Sequence, residues 1–396
     1  MTINVVAIEE TENLLNDIGK FTKNVKIENL NIPEKSRDEI NGRKNLRYFL
    51  SKDVKKQVKE LERLREDFDV CIVSSWNAAK LAYLADLHFI MFFIGNDIRI
   101  PPFIKNSKPK YFLNSVNKLN FFQRLFFKKV FENASICVTG SQELFLLLNE
   151  LRNDAKRIDR FVIDTDTFNP LLNQDKKKRV KFSFFSPQRI GKEKGTDILW
   201  EAIKLTKSEF EVLQVEWIDD KTQEIKKESL ELINNKPKKV KLVPKIQKNE
   251  MPKFYFSSDA VLGEMQSGHL NYTECEAVMC KKPVLCYNDL NCKYLINGKE
   301  ITSPFIPNEK NPENLAILID KIVTEETFRN NLLNEEEKFI SEIADPIKAA
   351  SEWEELFKIQ NKKFNLKESN TSKFRQKIRM IFYKIAFLGV SDKKIH

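Results

Sequence analysis

Residues 180–202 read VKFSFFSPQRIGKEKGTDILWEA. The apolar segment 180–185 predicts a buried strand, and residues 196–204 have the composition of a helix. The loop between them carries Arg189 and Lys194. There both cations and a helix N-terminus can face one ligand, an arrangement that suits a diphosphate. A solvated charged loop is the alternative, because lysine and glutamate alternate within it.

The same alternation of short apolar strands and helices runs through the rest of the chain. The chain has 396 residues, 41% of them hydrophobic, which is enough for two domains with cores of their own. Strands that alternate with helices are typical of α/β domains with parallel sheets, whose ligands bind at the carboxyl ends of the strands. We therefore expect two α/β domains and a ligand in the cleft between them. The predicted strands lie at residues 3–8, 69–74, 88–94, 135–139, 180–185, 210–218, 240–243, 260–263 and 283–287.

Positive charge is concentrated near the C-terminal end of the sequence. The chain has 67 lysines and arginines against 57 aspartates and glutamates, a net charge of +10. Residues 361–396 hold ten of the basic and two of the acidic residues, so they carry +8 of that charge. A nearly neutral body with a basic tail argues against nucleic acid as a partner, and the sequence has no motif that binds nucleic acid.

Two segments combine basic with large apolar residues. In residues 373–388, phenylalanine and isoleucine recur at helical spacing among lysines and arginines, a pattern typical of a helix on an anionic membrane surface. For residues 121–132, packing against a sheet is at least an equal alternative. The longest apolar run, 87–94, is too short to cross a bilayer, and the N-terminus lacks the features of a signal peptide. We expect a cytoplasmic protein that is peripheral on the inner face of the cell membrane.

The cysteines favour buried thiols over a metal site. The last four lie close together, but they form no CxxC pair and have one histidine, His269, nearby, so a zinc site is the weaker alternative. We expect free thiols, as in other cytosolic proteins, and neither a metal nor a cofactor. The six cysteines are Cys71, Cys137, Cys275, Cys280, Cys286 and Cys292.

A second informative segment, residues 259–286, reads DAVLGEMQSGHLNYTECEAVMCKKPVLC. A strand is predicted to end at Gly263, and residues 272–279 are predicted to form a helix with Glu276 on its first turns. A carboxylate that faces the cleft there can accept hydrogen bonds from ribose hydroxyls, while the loop before it offers backbone N–H groups to phosphate. For Glu276 alone, the alternative is a carboxylate that interacts with the helix dipole.

Four stretches, in order along the chain, resemble the group 1 glycosyltransferases, glycosyltransferase family 4. The resemblance implies the α/β fold class called GT-B, with two facing Rossmann-like domains and a cleft between them. The implied division is an N-terminal acceptor-side domain, 1–165, a C-terminal nucleotide-sugar-binding domain, 166–357, and the basic tail, 358–396. The four stretches are GNDIR (95–99), IDTDTFNP (163–170), QRIGKEKGTDIL (188–199) and ECEAVMCKKPV (274–284).

The resemblance implies an enzyme that moves a sugar from a nucleotide sugar to a glycan or lipid-linked acceptor, with retention of configuration and without a metal. Arg189 and Lys194 would hold the donor diphosphate and neutralise the leaving group, and Glu276 would hold the ribose. The other substrate-binding residues that it implies lie beside the sugar and phosphates: Gly268, His269, Leu270, Asn271, Tyr272 and Thr273. In the first domain, the loop with Gly95, Asp97 and Arg99 follows a strand end, so we expect Asp97 and Arg99 to face the acceptor or the leaving phosphate. For Asp97 and Arg99, a salt bridge within the loop is an equal alternative.

The chain departs from the family pattern within this site. Gly268 stands where the family has a glutamate, so Glu264 or Glu274 is a candidate substitute, and Trp217 stands near a usual glycine-rich turn. The missing glutamate favours a second hypothesis, a non-catalytic binding protein of the same fold. A nucleotide-sugar 2-epimerase is a third, although the chain has only three histidines to act as acids and bases.

One further motif has two interpretations. The residues 164–166, Asp-Thr-Asp, resemble the metal-binding Asp-x-Asp of the other glycosyltransferase fold, GT-A. Their place between two α/β units instead favours a structural role at the domain junction.

Overall fold

The computed structural model describes residues 2–9, 14–31, 52–104, 119–172, 181–218, 223–363 and 373–388. The chain divides into two compact units: one contains Met1–Asp159 and Pro346–His396, and the other contains Arg160–Asp345. Each unit is built around one parallel sheet with helices between its strands. The predicted fold class, α/β with two Rossmann-like domains, is therefore confirmed.

The sheet of the first unit has six parallel strands in the order β2-β1-β3-β4-β5-β6. The strands β3 and β4 are buried along their whole length, which explains why their sequences are unbroken apolar runs. The elements are β1 (Ile3–Glu9), α1 (Leu14–Phe21), β2 (Val25–Asn31), α2 (Lys52–Leu64), β3 (Val70–Val73), α3 (Trp76–Leu84), β4 (Phe89–Phe93), α4 (Asn96–Arg99), α5 (Phe121–Glu132), β5 (Ile136–Thr139), α6 (Gln142–Leu151) and β6 (Lys156–Arg157).

The sheet of the second unit has five parallel strands in the order β11-β10-β7-β8-β9, and β12 and β13 form a separate antiparallel hairpin. Because β10 pairs directly with β7, the loops that follow these two strands begin side by side. The elements are β7 (Phe182–Ser186), α7 (Thr196–Leu205), β8 (Phe210–Val215), α8 (Gln223–Asn234), β9 (Val240–Val243), α9 (Met251–Phe256), β10 (Ala260–Leu262), α10 (Tyr272–Met279), β11 (Val284–Leu285), β12 (Lys293–Ile296), β13 (Lys299–Thr302), α11 (Pro312–Thr324) and α12 (Glu326–Ile343).

Two helices after the second unit return to the first: α13 (Pro346–Lys363) and α14 (Lys373–Leu388). In α13, the buried ring of Trp353 packs edge-on against Phe92 of β4, with 5.2 Å between the ring centroids. This division differs from the predicted boundary at residue 357, because the apolar face of α13 covers the first sheet and the helix continues through that position. Residues 364–372 and 389–396 of the predicted tail lie outside the described residues.

The apolar interior accounts for the cysteines. All six are free and buried, as predicted. Burial raises the pKa of the Cys71 thiol to about 12, so this group is held as an inert thiol inside the first sheet. Among the described residues, no helix is both long and apolar enough to cross a membrane.

Candidate functional site

The candidate site begins where β7 and β10 end. The loop after β7 runs from Pro187 to the N-terminus of α7, and the buried residues Gln214 and Thr196 hold it by hydrogen bonds. The amide of Gln214 donates to the carbonyl oxygen of Gln188 at 2.8 Å, and the backbone N–H of Gly191 donates to the Thr196 hydroxyl at 3.0 Å. The cations on this loop are therefore carried by a backbone that the fold holds in place.

Lys194 connects this loop to the loop after β10. Its Nζ lies 2.5 Å from Oε2 of Glu264, whose side chain is only 3% exposed. The same carboxylate accepts hydrogen bonds from the side-chain amide of Asn271 at 2.9 Å and from the backbone of Ser267 at 3.2 Å. The backbone N–H of Met265 in turn donates to the carbonyl oxygen of Lys194 at 3.1 Å. The two predicted segments thus form one site, with Glu264 at its centre.

Arg189 lies beside Trp217, which follows β8. The guanidinium carbon is 5.5 Å from the indole centroid, and Nζ of Lys245 is 4.6 Å from the same ring. The backbone of Trp217 is tied to the loop because its carbonyl oxygen accepts a 2.7 Å hydrogen bond from the N–H of Ile190. Two cations thus share one aromatic ring, and the contact with its face restricts the arginine.

Glu276 lies on α10 and is more enclosed than expected from the sequence, with 5% of its surface exposed. Its Oε2 is 3.4 Å from the hydroxyl of the fully buried Tyr255, which also donates to the carbonyl oxygen of Thr273 at 3.1 Å. Burial raises the pKa of Glu276 to about 7, although the positive charge of Lys248 and the Tyr255 hydroxyl act in the opposite direction. Near neutral pH this carboxyl is therefore close to its titration midpoint.

Glu274 is one of the two candidate substitutes for the family glutamate, and its carboxylate is hydrogen-bonded to other residues of the protein. Its carboxylate accepts hydrogen bonds from the backbone N–H groups of Asn271 and Glu264, both at 3.0 Å, and from the Gln188 amide at 2.8 Å. The side chain is 1% exposed, and burial raises its pKa. Sequence reasoning missed this role, although the pattern Asn-x-x-Glu over 271–274 is a recognised signal for a helix start.

Gly268, at the family's glutamate position, has a backbone that needs glycine. Its φ is +75°, in the left-handed region, and a Cβ atom there would lie 2.6 Å from Cβ and 2.8 Å from N of Asp289. The backbone N–H of Asp289 also donates to the carbonyl oxygen of Gly268 at 3.2 Å. With this backbone, a glutamate side chain has no room at position 268, whereas Glu264 reaches the predicted cation.

The next residue of the loop, His269, pairs with Cys292. The distance from Nδ1 of the imidazole to Sγ is 2.7 Å, and the thiol is buried. This contact fixes the orientation of the ring while the histidine side chain remains half-buried. The sequence did not predict that His269 and Cys292 form a pair, because 22 residues separate them in the chain.

The remaining loop residues hold the start of α10 in place. The backbone N–H of Leu270 donates to the buried Tyr294 hydroxyl at 2.9 Å, and the ring of Tyr272 packs edge-on against Phe161 with 5.2 Å between centroids. The hydroxyl of Thr273 receives a hydrogen bond from Gln188 at 2.6 Å. Several hydrogen-bond donors and aromatic rings of this loop thus make contacts within the protein.

The predicted residues of the first unit, Gly95, Asp97 and Arg99, form a compact turn after β4. The Asp97 carboxylate accepts hydrogen bonds from three backbone N–H groups of the turn, at 2.7 to 3.0 Å, and burial raises its pKa. Arg99 makes a two-point ion pair with Glu143 of α6, with its shorter contact at 2.6 Å. The salt bridge of Arg99 therefore joins this turn to α6 and does not lie within the loop, while Asp97 stabilises the backbone of the turn.

The Asp-x-Asp motif at 164–166 forms a turn. Both oxygens of Asp164 are used locally: they accept hydrogen bonds from the backbone N–H groups of Asp166 and Thr167 and from the Thr167 hydroxyl, at 2.9 to 3.2 Å. This is the geometry of a side chain that stabilises a turn, whereas the role at the domain junction stays a prediction. Among the described residues, no cluster of three or more histidine, cysteine or acidic side chains has the arrangement of a metal site.

Residues 169–339, which include Arg189, Lys194 and Glu276, match the family described as Glycosyl transferases group 1. This segment is a group 1 glycosyltransferase domain. The chain is accordingly a glycosyltransferase, as the resemblance predicted, whereas its assignment to family 4 stays a prediction. No curated protein matches the chain.

Solved glycosyltransferase structures share the fold over most of the chain. HepE from Anabaena, in complex with UDP and glucose, has a TM-score of 0.62 at 16% identity, over 90% of this chain and 100% of that one. Sucrose-phosphate synthase from Thermosynechococcus elongatus has a TM-score of 0.59 at 12% identity, over 90% and 98%. A UDP-forming α,α-trehalose-phosphate synthase from Burkholderia vietnamiensis has a TM-score of 0.62 at 8% identity, over 90% and 100%. The likeness extends over both units and agrees with the predicted GT-B fold.

Proposed function

We propose that this glycosyltransferase takes its sugar from a nucleoside diphosphate sugar, with a uridine nucleotide as the first candidate. The observation that carries the proposal is the contact between Lys194 and Glu264, which joins the two loops after β7 and β10. Arg189 lies on the first of these loops, which leads to the N-terminus of α7 at Thr196, where backbone N–H groups and cations favour an anion. The uridine nucleotide is suggested by HepE, which was solved with UDP and with UDP-glucose.

The proposed chemistry needs positive charge at the leaving group. When the bond between the anomeric carbon and the phosphate oxygen breaks, the nucleoside diphosphate leaves with an additional negative charge. Arg189 and Lys194 are the residues that would stabilise this charge, and Glu276 in its ionised form would accept hydrogen bonds from the ribose hydroxyls. The loop from Gly268 to Thr273 would lie beside the sugar. We propose retention of configuration and no requirement for a metal.

The proposal also includes the class of acceptor. A glycan or lipid-linked acceptor is expected from the resemblance to the family, together with action on the cytoplasmic side of a membrane. Contact with the membrane through residues 373–388 rests on separate observations and is argued in the next section.

The first test is calorimetry with UDP on the whole chain. Replacement of Lys194 by glutamine removes one charge-assisted contact with the diphosphate, so UDP affinity is expected to fall about 10- to 100-fold. Lys192 offers a matched control in the same loop, because its side chain is 57% exposed and pairs with Glu228 at 3.5 Å. Lys192→Gln is expected to leave the affinity within about twofold of the wild type.

Two measurements complete the test. Release of UDP from a panel of UDP-sugars identifies the donor, and the anomeric configuration of the product, read by NMR, tests retention. Activity that persists in a chelator tests metal independence. If no nucleoside diphosphate binds, or if both lysine variants lose affinity equally, the proposed donor site is wrong.

A further inference from the structure

The helix α14 has two opposite faces, one of which is buried. Tyr383, Ala386 and Phe387 are at most 4% exposed and pack against the first unit. The ring of Phe126 in α5 lies 5.6 Å from that of Tyr383 and 5.8 Å from that of Phe387, measured between centroids. Although it lies in the basic tail, α14 is thus a docked part of the first unit.

Polar contacts anchor the same buried side. Arg379 pairs with Asp86 at 2.8 Å, donates to the carbonyl oxygen of Tyr83 at 2.7 Å and stacks over the Tyr83 ring. The Gln376 amide donates to the carbonyl oxygen of Ala85 at 3.0 Å. Arg379 is therefore used for anchoring, and the surface chemistry of the helix is set by its other residues.

The opposite face presents an exposed apolar row, which we call the outer stripe: Phe374, Ile378, Ile381 and Ile385. These side chains are 71%, 50%, 56% and 53% exposed. Their spacing of four, three and four residues places them on one side of the helix, about half a turn away from the buried face. Single exposed apolar residues are ordinary on proteins, but a continuous row along a helix marks an interaction surface.

The charge beside the outer stripe is uniformly positive. The segment from Lys373 to Leu388 contains five lysines and arginines and no acidic residue. Three exposed lysines, Lys373, Lys377 and Lys384, follow one flank of the stripe at helical spacing. Lysine side chains of this kind place an apolar stem along the surface and a charged end in water.

The neighbouring helix α5 adds apolar surface at one end. It packs antiparallel to α14, because its C-terminal Asn133 contacts Arg379 while Phe126 contacts Phe387 further along α14. At the N-terminal end of α5, Phe121 and Phe122 are 64% and 50% exposed. Most of α5 packs in the core, as one of its two interpretations predicted, but these two rings lie toward the C-terminal end of α14.

We propose that the outer stripe and its flanking lysines dock on an anionic lipid bilayer. Isoleucine and phenylalanine side chains would enter the region of the headgroups and upper acyl chains, while the lysines meet lipid phosphates. The exposed isoleucines distinguish this surface from one for nucleic acid, which uses cations but gains nothing from an aliphatic row. This inference uses the faces of α14 alone and does not depend on the proposed donor.

The test is sedimentation of the full chain with vesicles of phosphatidylcholine that contain about one third phosphatidylglycerol. Each exposed lysine is expected to contribute about fivefold to partitioning, so the double variant Lys377→Gln, Lys384→Gln should bind about 25-fold more weakly. The variant Ile378→Asp, Ile385→Asp should lose at least about tenfold. Circular dichroism and the melting temperature establish that each variant is folded.

Matched controls come from the second unit. Ile317 on α11 is 56% exposed, and Lys226 and Lys227 are exposed neighbours on α8. Ile317→Asp and the double variant Lys226→Gln, Lys227→Gln should leave partitioning within about twofold of the wild type. Loss of binding in both α14 variants, with both controls unaffected, supports the proposal.

Three results would overturn it. One is a wild-type chain that does not sediment with the anionic vesicles. Another is an isoleucine variant that binds vesicles normally while the lysine variant loses binding to a DNA duplex, which would identify nucleic acid as the partner. The third is a wild-type dimer that the isoleucine variant converts to a monomer in light scattering, which would make the outer stripe a subunit interface.

Discussion

Replacement of Glu276 by glutamine tests the site through stability and through binding. Burial raises the pKa of this carboxyl to about 7, against an ordinary value of 4.5, so between these values the folded chain holds a proton that the unfolded chain has lost. The contribution of Glu276 to the free energy of unfolding therefore decreases as the pH rises from about 4.5 to about 7, by about 3 kcal/mol in total. Glutamine cannot ionise, so the variant is expected to be more stable by about this amount at pH 8, and equally stable near pH 4.

The same titration governs donor binding if the ionised carboxylate holds the ribose. Protonation removes acceptor capacity, so the affinity of the wild type for UDP is expected to fall about tenfold between pH 8 and pH 6. Glu276→Gln should bind UDP more weakly at pH 8 by about 10- to 100-fold, and its affinity should lack this part of the pH dependence. The second phosphate pKa of UDP is near 6, so the ratio of the two affinities at each pH is the quantity to compare.

Calorimetry and urea titration at about five pH values supply both readouts. A stability gain at pH 8 without any change in UDP affinity would mean that Glu276 is a buried carboxyl with no part in the site. Equal pH profiles for the wild type and the variant would refute the raised pKa itself. The neighbouring carboxyls stay in both proteins, so the difference isolates Glu276.

Three further predictions concern single residues of the two units. Trp217→Leu releases Arg189 from the ring, so calorimetry should show UDP binding that is about two- to fivefold weaker. The control variant Trp217→Phe should bind UDP nearly as the wild type does, and the affinity for uridine should not change. Gly268→Ala should lower the free energy of unfolding, measured in urea, by about 2 kcal/mol or more, because φ is +75° and the added Cβ meets a neighbouring backbone. Arg99→Leu should cost about 1 kcal/mol of stability through the lost pair with Glu143 while UDP affinity stays within about twofold of the wild type; a large loss of affinity would restore Arg99 to the substrate site.

The sequence predicted those parts of the fold that bury apolar residues on both sides of a strand. The central strands β3, β4, β5 and β7 lie within one or two residues of their predicted ranges. The edge strand β2, with the sequence VKIENLN, was missed, because it mixes charged residues into a short apolar pattern. The hairpin of β12 and β13 was also missed, although Asn297-Gly298 between them, both with positive φ, is a strong turn signal.

The sequence could not predict which unit the last helices join. Alternation along the chain suggests that a helix packs near the strands before it, and α13 follows the second sheet. Its buried residue Trp353 instead packs on Phe92, more than 250 positions away in the chain. Such long-range packing depends on the shape of both surfaces, and the composition of the helix carries no record of its partner.

For the site, the sequence identified the residues, but their pairing required the structure. Motif spacing alone indicates Arg189, Lys194 and Glu276, whereas the ring beside Arg189 and the carboxylate beside Lys194 come from other loops. In the sequence, Trp217 differs from the family pattern only in standing near a usual glycine-rich turn. Its position, 5.5 Å from the guanidinium, follows from the adjacency of β7 and β8 in the sheet.

The ion pair of Lys194 changes the meaning of the missing family glutamate. Gly268 cannot carry that side chain with its present backbone, yet Glu264, four residues earlier, brings a buried carboxylate to within 2.5 Å of the lysine. A carboxylate is thus present at the predicted diphosphate site, and it comes from the residue range that directly follows β10. A donor phosphate must then share Lys194 with Glu264. Glu264 would orient the ammonium group of Lys194, but its negative charge would also weaken the attraction between that group and the phosphate. The absence of glutamate at 268 is therefore weak support for a non-catalytic protein, because the charge it would supply is available from another position of the same loop.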